Sequence, residues 1–484
     1  MTDVETLLVV PDPVSLMESM RAVGYSVESA IADIVDNSLS ADARRIDVQY
    51  DATSSPYVAV LDDGLGMEAS ELTDAMRHGS TNPTDARRSS DLGRFGLGLK
   101  TASLSQARKL TVVSKKNGVL SARRWDLDVV RELSAWRVVV PNESELSTLP
   151  MYRNLLEQAS GTLVIWQELD RLTAGATDAG KEMTTRMAPL YEHLALVFHR
   201  FSKPEGGHPA VAISLNGLRL PARDPFLGAN SHRQALEGQT ISHPKGTVIV
   251  SPFILPPVSS LTPEEIDMAG GGEGLRGTQG FYVYRGRRLV IWGTWFRLVP
   301  KQEFYKLTRV QVDIPNSFDE LWALDIKKSA AYPPDVIRDR LKQLIPHFAE
   351  KSRKAIQYAG RKRPGLGITP LWQRVEPSHG HYSYQVNASH PLVETLLTEN
   401  SDLSREVLLL LKSLSVGLPY EAIYADMCSD RRSPLPAEEL EELVRVAFAL
   451  IDVTGRDIDA VLQIDPLARY PHLHHLLKER VENV

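Results

Sequence analysis

Apolar residues recur at helical spacing over residues 14–39 (Leu16, Met20, Val23, Val27, Ala30, Ile31, Ile34, Val35). The spacing predicts two consecutive helices, interrupted at Gly24-Tyr25. Residues 46–50 and 57–61 then alternate as short strands do, on either side of a Ser/Pro turn, and residues 69–76 return to helical spacing. Residues 77–98 are polar and rich in Gly, Ser, Arg and Asp. Irregular chain of that length in a compact domain is a functional lid or a disordered segment. Strand-like runs follow at 109–113, 121–127, 136–140 and 161–167. A helix ending near Phe201 runs into Ser202-Lys203-Pro204-Glu205-Gly206-Gly207, a break that predicts a first domain over residues 1–205.

A second α/β unit is expected over residues 206–364. It has strand-like runs at 210–215, 246–250, 280–292 and 309–314, a Gly270-Gly271-Gly272 stretch that reads as a mobile loop, and a helix over 334–358. After the basic run Arg361-Lys362-Arg363-Pro364, residues 365–484 read as a mostly helical domain. Its most apolar stretch, 407–411, is broken by Lys412 and falls well short of the ~18 residues of a membrane span. That stretch is expected to be a core helix, and no membrane association is expected. No internal repeat is seen.

The composition is that of a globular chain: 484 residues, 43% hydrophobic and 24% charged, which excludes a disordered, collagenous or rod-like protein. The formal net charge of -6 argues against a protein that coats nucleic acid over its whole surface. Charge is segregated: residues 365–484 hold 10 Lys/Arg against 18 Asp/Glu, leaving 45 against 43 for the rest. Any nucleic-acid face would therefore be local, and the acidic third is the less favoured place for it. Arg285, Arg287 and Arg288 interleave with Tyr282, Tyr284 and Trp292, and Lys351, Arg353, Lys354 and Arg361–Arg363 form a second basic cluster. Both are candidate phosphate-tracking surfaces, and both also fit ordinary exposed strand ends and helix faces. A single cysteine, Cys428, and an N-terminus without a basic-then-apolar pattern lead to the expectation of a cytoplasmic protein. The histidines His379, His381 and His390, and His472, His474 and His475, lack metal-ligand spacing and read as structural.

Three short stretches carry candidate chemistry. On a helix, Asp33 and Asn37 lie four residues apart on one face, a carboxylate beside an amide oxygen. Mg2+ retains waters and takes few protein oxygens, so one Asn oxygen suffices while the carboxylate orients or deprotonates a water. The bland reading is a solvated helix face. Asp62-Asp63-Gly64-Leu65-Gly66-Met67 follows a strand, where an acid and a glycine turn can present a carboxylate to an exocyclic amine; the bland reading is a hairpin turn. Gly93-Arg94-Phe95-Gly96-Leu97-Gly98-Leu99-Lys100-Thr101-Ala102-Ser103 runs from a glycine-rich loop into a helix, where backbone amides approach phosphate oxygens and Lys100 adds a charge. It matches neither a P-loop nor a dinucleotide-binding fingerprint.

In this order and at these intervals, the three stretches resemble the gyrase, heat-shock chaperone, histidine kinase and MutL superfamily of ATPases, and Gly161-Thr162 matches that family's fourth motif. The resemblance implies a Bergerat-type α/β sandwich ATPase domain, followed by an α/β transducer-like domain and the helical C-terminal domain. It implies that Asn37 binds Mg2+ and Asp62 the adenine amino group, with Gly64, Gly66 and Met67 beside it. The loop from Gly93 to Lys100, with Leu99, would hold the phosphates of ATP, Thr162 would support the adenine pocket, and residues 78–92 would be the lid. Residues 280–292 and Leu324-Asp325-Ile326-Lys327-Lys328-Ser329 look like the transducer of MORC-like and MutL-like proteins, whose lysine reaches the γ-phosphate. Lys328 is the choice here and Lys327 the reserve.

Asp33 departs from the glutamate usual at its position. It is one methylene shorter, so slow hydrolysis is expected, and Asp36 lies at another angle on the helix. The function implied is a Mg-ATP-dependent clamp with an ATP-dependent homodimer, acting in DNA transactions such as phage defence, restriction or repair, with a nuclease or other partner recruited through residues 365–484. The competing readings are a chaperone-like clamp on protein clients and an ATP-sensing scaffold with little turnover.

Overall fold

The computed structural model describes residues 7, 9–22, 24–53, 55–77, 98–174, 176–319, 321–322, 332–357, 369–378, 381–399, 404–419, 423, 437–470 and 473–482. Outside them lie Gly93, Arg94, Phe95, Gly96 and Leu97, the lid residues, Lys327, Lys328, Arg361–Arg363, His379, Cys428 and His472.

The break at Gly24-Tyr25 separates two helices, α1 (Pro13–Arg21) and α2 (Val27–Ser40), each started by a side-chain cap, Asp12 on the Ser15 N–H and Ser26 on the Ser29 N–H. The strands β1 (Arg45–Asp51), β2 (Tyr57–Asp62), β3 (Lys109–Lys116), β4 (Val119–Asp126), β5 (Gly161–Gln167), β6 (Ala212–Leu215) and β7 (Leu218–Arg219) form one sheet in the order β4-β3-β5-β2-β1-β6-β7. Its pairs are antiparallel except β1 with β6. The central strands are buried on both faces, and their residues divide with period two. Val58, Val60, Leu110, Val112, Val164 and Trp166 join the core containing α2. Ala59, Leu61, Val113, Leu163 and Ile165 pack with Leu146, Tyr152 and Leu155 on the other face.

Two expectations fail here. Residues 136–140 form no strand; only Val139 bridges to Arg124. The boundary expected at residue 205 falls inside the first sheet's connectivity, because the Pro/Gly run turns tightly, Glu205 pairing with His208, and returns β6 to lie beside β1. Turn residues mark a reversal of chain direction and do not say whether the sheet ends there.

The second sheet comprises β8 (Gln234–Ala235), β9 (Gln239–His243), β10 (Gly246–Ile254), β11 (Gly280–Arg285), β12 (Arg288–Thr294) and β13 (Thr308–Ile314), in the order β12-β11-β13-β10-β8 with β9 on β10. The run at 280–292 is thus two strands joined by Gly286-Arg287, both at positive φ (54° and 68°), as a two-residue hairpin turn requires. β11 is shared between two cores: Tyr282 and Tyr284 join the first domain's core, whereas Phe281 and Val283 pack with the helix Asp335–Gln357. Gly271–Glu273 is a 3-10 turn between two helices and not an irregular loop. Among the described residues, the C-terminal region is helical apart from the hairpin β14 (Trp372–Ser378) and β15 (His381–Val386). Its helix Ser404–Val416 is present, but Leu408, Leu409 and Leu410 are exposed (41, 67 and 59%), so it is no core helix. Apolar composition alone does not supply a packing partner.

Candidate functional site

The site assembles where α2 meets the ends of β2, β5 and β3. Asp62 shares the parity of Val58 and Val60, so its carboxylate projects toward α2. Register sets Asp62 opposite Thr162, and Thr162 opposite Ser114, so three polar residues end three apolar strands in one row. Asp62 is 4% exposed. Its Oδ1 accepts from the Gly64 N–H at 2.9 Å and the Thr162 N–H at 3.2 Å, and its Oδ2 accepts from the Ser38 hydroxyl at 2.7 Å. Burial pushes its pKa up, and these three donors pull it back. Ser114 Oγ lies 2.9 Å from Thr162 Oγ1, donates to the Gly161 carbonyl at 3.1 Å and accepts from the Met67 N–H at 2.8 Å. The Ser160 hydroxyl donates to the Gly64 carbonyl at 2.7 Å.

The glycines here are sterically required. A Cβ on Gly66, at φ +67°, would lie 2.0 Å from the Lys115 carbonyl oxygen, and one on Gly64 would lie 2.7 Å from that of Ala41. Met67 is half-buried against the main core.

On α2, Asn37 is exposed, and Asp33, one turn earlier, is 6% exposed. Tyr25, which is 7% exposed, donates its hydroxyl to Asp33 Oδ2 at 3.0 Å. A Cβ on Gly98 would lie 3.7 Å from Asp33 Oδ2, so the start of helix α4 (Gly98–Leu104) adjoins this carboxylate. Leu99 is half-buried against the core, and Thr101 Oγ1, one turn into α4, is buried with no hydrogen-bond partner among the described residues. Lys100 is placed differently from a phosphate-facing charge: it is 1% exposed and its ammonium donates to the carbonyls of Ala75 (3.0 Å) and Arg77 (2.9 Å), at the end of helix α3 (Ala69–Met76). Burial pulls its pKa down to about 8.

The structure therefore brings together Asp33, Asn37, Asp62, Gly64, Gly66, Met67, Gly98, Leu99 and Thr162, while Lys100 points its charge into the α3 carbonyls. Sequence reasoning passed over Tyr25, Ser114 and Ser160 as site residues. The available signal for Ser114 was a hydroxyl closing the mostly apolar run Leu110–Val113, which no spacing rule would have tied to residue 162.

The first basic cluster is not a surface. Arg285 is 2% and Arg288 5% exposed, each paired with a carboxylate, and Arg287 lies over the Phe201 ring at 4.4 Å. His390 and His474 hydrogen-bond to the backbone carbonyls of Asp465 and Leu467, and no cluster of three metal-ligating side chains occurs among the described residues. No helix among the described residues is long and apolar enough to cross a membrane.

Residues 25–162 match the family described as Histidine kinase-, DNA gyrase B-, and HSP90-like ATPase, so the superfamily resemblance read from the motifs holds over that segment. The chain is 38% identical over 95 residues to ATPase morc-1 of Caenorhabditis elegans, which covers 19% of this chain and 11% of that protein. It is 28% identical over 116 residues to ATPase MORC2 of Homo sapiens (23% of this chain, 11% of that protein). It is 37% identical over 120 residues to DNA mismatch repair protein MutL of Acidiphilium cryptum (strain JF-5), covering 23% of this chain and 20% of that protein. The matched part thus spans between a tenth and a fifth of these relatives' own lengths.

Proposed function

We propose that the N-terminal domain binds ATP with Mg2+ and hydrolyses it slowly, and that the chain is an ATP-driven conformational clamp in DNA transactions such as phage defence, restriction or repair. The observation that carries the nucleotide reading is the Asp62 carboxylate. It is sunk at the end of the sheet and held by two backbone N–H groups and one hydroxyl, and as an acceptor-only group it suits the exocyclic amine of adenine. Gly64, Gly66 and Met67 would shape the base pocket, and Thr162 would support it through its N–H on Asp62.

The donor set fits a Mg-nucleotide. Asn37 offers one neutral oxygen on an exposed turn, in keeping with a metal that keeps its waters and substrate phosphates. The Thr101 hydroxyl, one turn into α4 and without a hydrogen-bond partner among the described residues, is a polar atom left for a ligand. When bound, the metal would neutralise charge on the phosphates. Asp33, oriented by Tyr25, would hold the attacking water and take its proton. The Gly93–Gly98 loop and the N–H groups opening α4 would bind the phosphates, with Lys328, or Lys327, reaching the γ-phosphate from the second domain.

ATP-dependent homodimerisation, DNA as partner and recruitment of a nuclease or repair protein through residues 365–484 belong to the same proposal. The DNA clause is supported by the likeness of part of the chain to a DNA mismatch repair protein. The deciding experiment is steady-state ATP hydrolysis with and without double-stranded DNA, with Asn37→Ala as the blank. Turnover stimulated by DNA and lost in Asn37→Ala is expected. Turnover indifferent to DNA favours a clamp on protein clients, and binding without turnover favours an ATP-sensing scaffold.

A further inference from the structure

The tip of the β11–β12 hairpin carries two arginines directly opposite each other, Arg285 on Arg288. Facing like charges destabilise a strand pair, and burying a guanidinium without a counter-ion costs far more. Both are buried, and each is neutralised by a different carboxylate. Arg285 holds Asp319 through two parallel bonds, Nε to Oδ1 at 2.6 Å and Nη2 to Oδ2 at 2.7 Å. Arg288 crosses into the first domain, where its Nε lies 3.3 Å from both oxygens of Asp36, which is 1% exposed.

The two carboxylates occupy telling positions in the chain. Asp36 precedes Asn37 on α2, and Asp319 leads into the stretch that carries Lys327 and Lys328. The hairpin between them is wedged against the first domain: Tyr282, Tyr284 and Leu289 lie in its core, Arg288 stacks over Phe198 at 5.2 Å, and Trp292 meets the His193 ring edge-on at 5.9 Å. The surroundings add no competing cation from His193, which burial holds neutral, with a pKa of about 3.

We infer that Arg288 is a positioning residue through which the second domain sets the geometry of the nucleotide site, by fixing the α2 turn that presents Asn37. This rests on the nucleotide-site reading above. Because the ion pair is shielded from water, a displacement of the hairpin separates charges in a low dielectric and is resisted. The hairpin and the α2 turn therefore move together.

The test is calorimetric binding of a non-hydrolysable ATP analogue across a Mg2+ series, together with hydrogen exchange of the nucleotide-free protein. Arg288→Gln should raise the Mg2+ concentration for half-maximal binding roughly tenfold and speed exchange at residues 36–40, with Arg288→Lys recovering most of both. Asp36→Asn should match Arg288→Gln, and the double variant should be no worse than either single one. Arg223→Gln, which cuts bridges to Glu192 and Asp267 away from α2, should lower the melting temperature and leave the Mg2+ midpoint in place. An equal shift in Arg223→Gln, or an unchanged midpoint with unchanged exchange in Arg288→Gln, overturns the inference. If Arg288→Gln does not fold, Arg288→Lys and Asp36→Asn carry the comparison. Failure of the wild type to bind the analogue removes the nucleotide reading instead, and hydrogen exchange then decides alone whether Arg288 holds the α2 turn.

Discussion

Tyr25 and Asp33 are joined by a hydrogen bond of 3.0 Å from the phenol to Oδ2, and the Tyr25 carbonyl is in turn held by Gln106 Nε2, also at 3.0 Å. Gln106 lies just beyond α4, so the helix that follows the glycine-rich loop, the residue between α1 and α2, and the carboxylate of α2 form one connected chain. An aspartate reaches less far than a glutamate. Fixing one of its oxygens leaves the other with a defined direction, which a short carboxylate needs if it is to orient a water.

Tyr25→Phe keeps the ring and removes only that donor. A hydrogen bond to a charged group contributes about 1.5–3 kcal/mol, so a kcat reduced by about 10- to 100-fold is expected, with the KM for ATP unchanged because Asp62 is untouched. Steady-state kinetics on the two proteins decide it. An unchanged kcat would show that the Tyr25 hydrogen bond does not orient the carboxylate for catalysis.

Asp62→Asn separates recognition from folding. The amide oxygen still accepts from Gly64 and Thr162, and the amide nitrogen faces the Ser38 hydroxyl, which can rotate to accept. The buried charge disappears, so the melting temperature should hold or rise. Nucleotide affinity should fall by about a hundredfold, since the amide presents a donor to the exocyclic amine. Calorimetry beside thermal denaturation reads both. Unaltered affinity would place the base elsewhere.

Much of this architecture is readable from periodicity. The paired helices, the strands β1 and β2 and the acid that ends β2 follow from local chemistry, and the order of the motifs points to the superfamily. What escaped depended on partners distant in sequence. Arg285 and Arg288 read as a basic surface because their neutralising carboxylates, Asp319 and Asp36, lie 34 and 252 residues away. Lys100 read as a phosphate ligand because its position beside the glycines is evident, whereas the α3 carbonyls it meets come from a fold-level contact. The leucines near residue 409 read as core because nothing local says that their face is left exposed.

Gly66 and Gly118 make a controlled pair. Both have positive φ, +67° and +77°, but a Cβ on Gly118 meets nothing within 4 Å whereas one on Gly66 runs into the Lys115 carbonyl at 2.0 Å. Gly118→Ala should therefore cost only the left-handed backbone strain, about 1 kcal/mol, and leave nucleotide binding intact. Gly66→Ala should cost about 3–5 kcal/mol, strain plus displacement of β3, and abolish binding. Denaturant melts of the two variants check the difference, and equal losses would mean that the β3 backbone yields freely.

Lys100 supplies the pH prediction. Its pKa falls from 10.5 to about 8 in the folded protein through burial, so between these values the unfolded chain holds the proton and the folded one does not. Stability attributable to this residue must therefore rise as pH climbs from about 8 toward 10.5, and stay flat below about 8, where both states are protonated. The full shift corresponds to about 3 kcal/mol. Other groups titrate in the same range, so the quantity to measure is the difference in denaturation free energy between wild type and Lys100→Met at pH 7.5, 9 and 10. That difference should move in favour of wild type as pH rises, because the methionine variant has no proton to lose and the neutral amine still donates to the α3 carbonyls. A flat difference would mean that Lys100 keeps its charge in the fold, which a phosphate-facing ammonium would do and an ammonium buried against α3 would not.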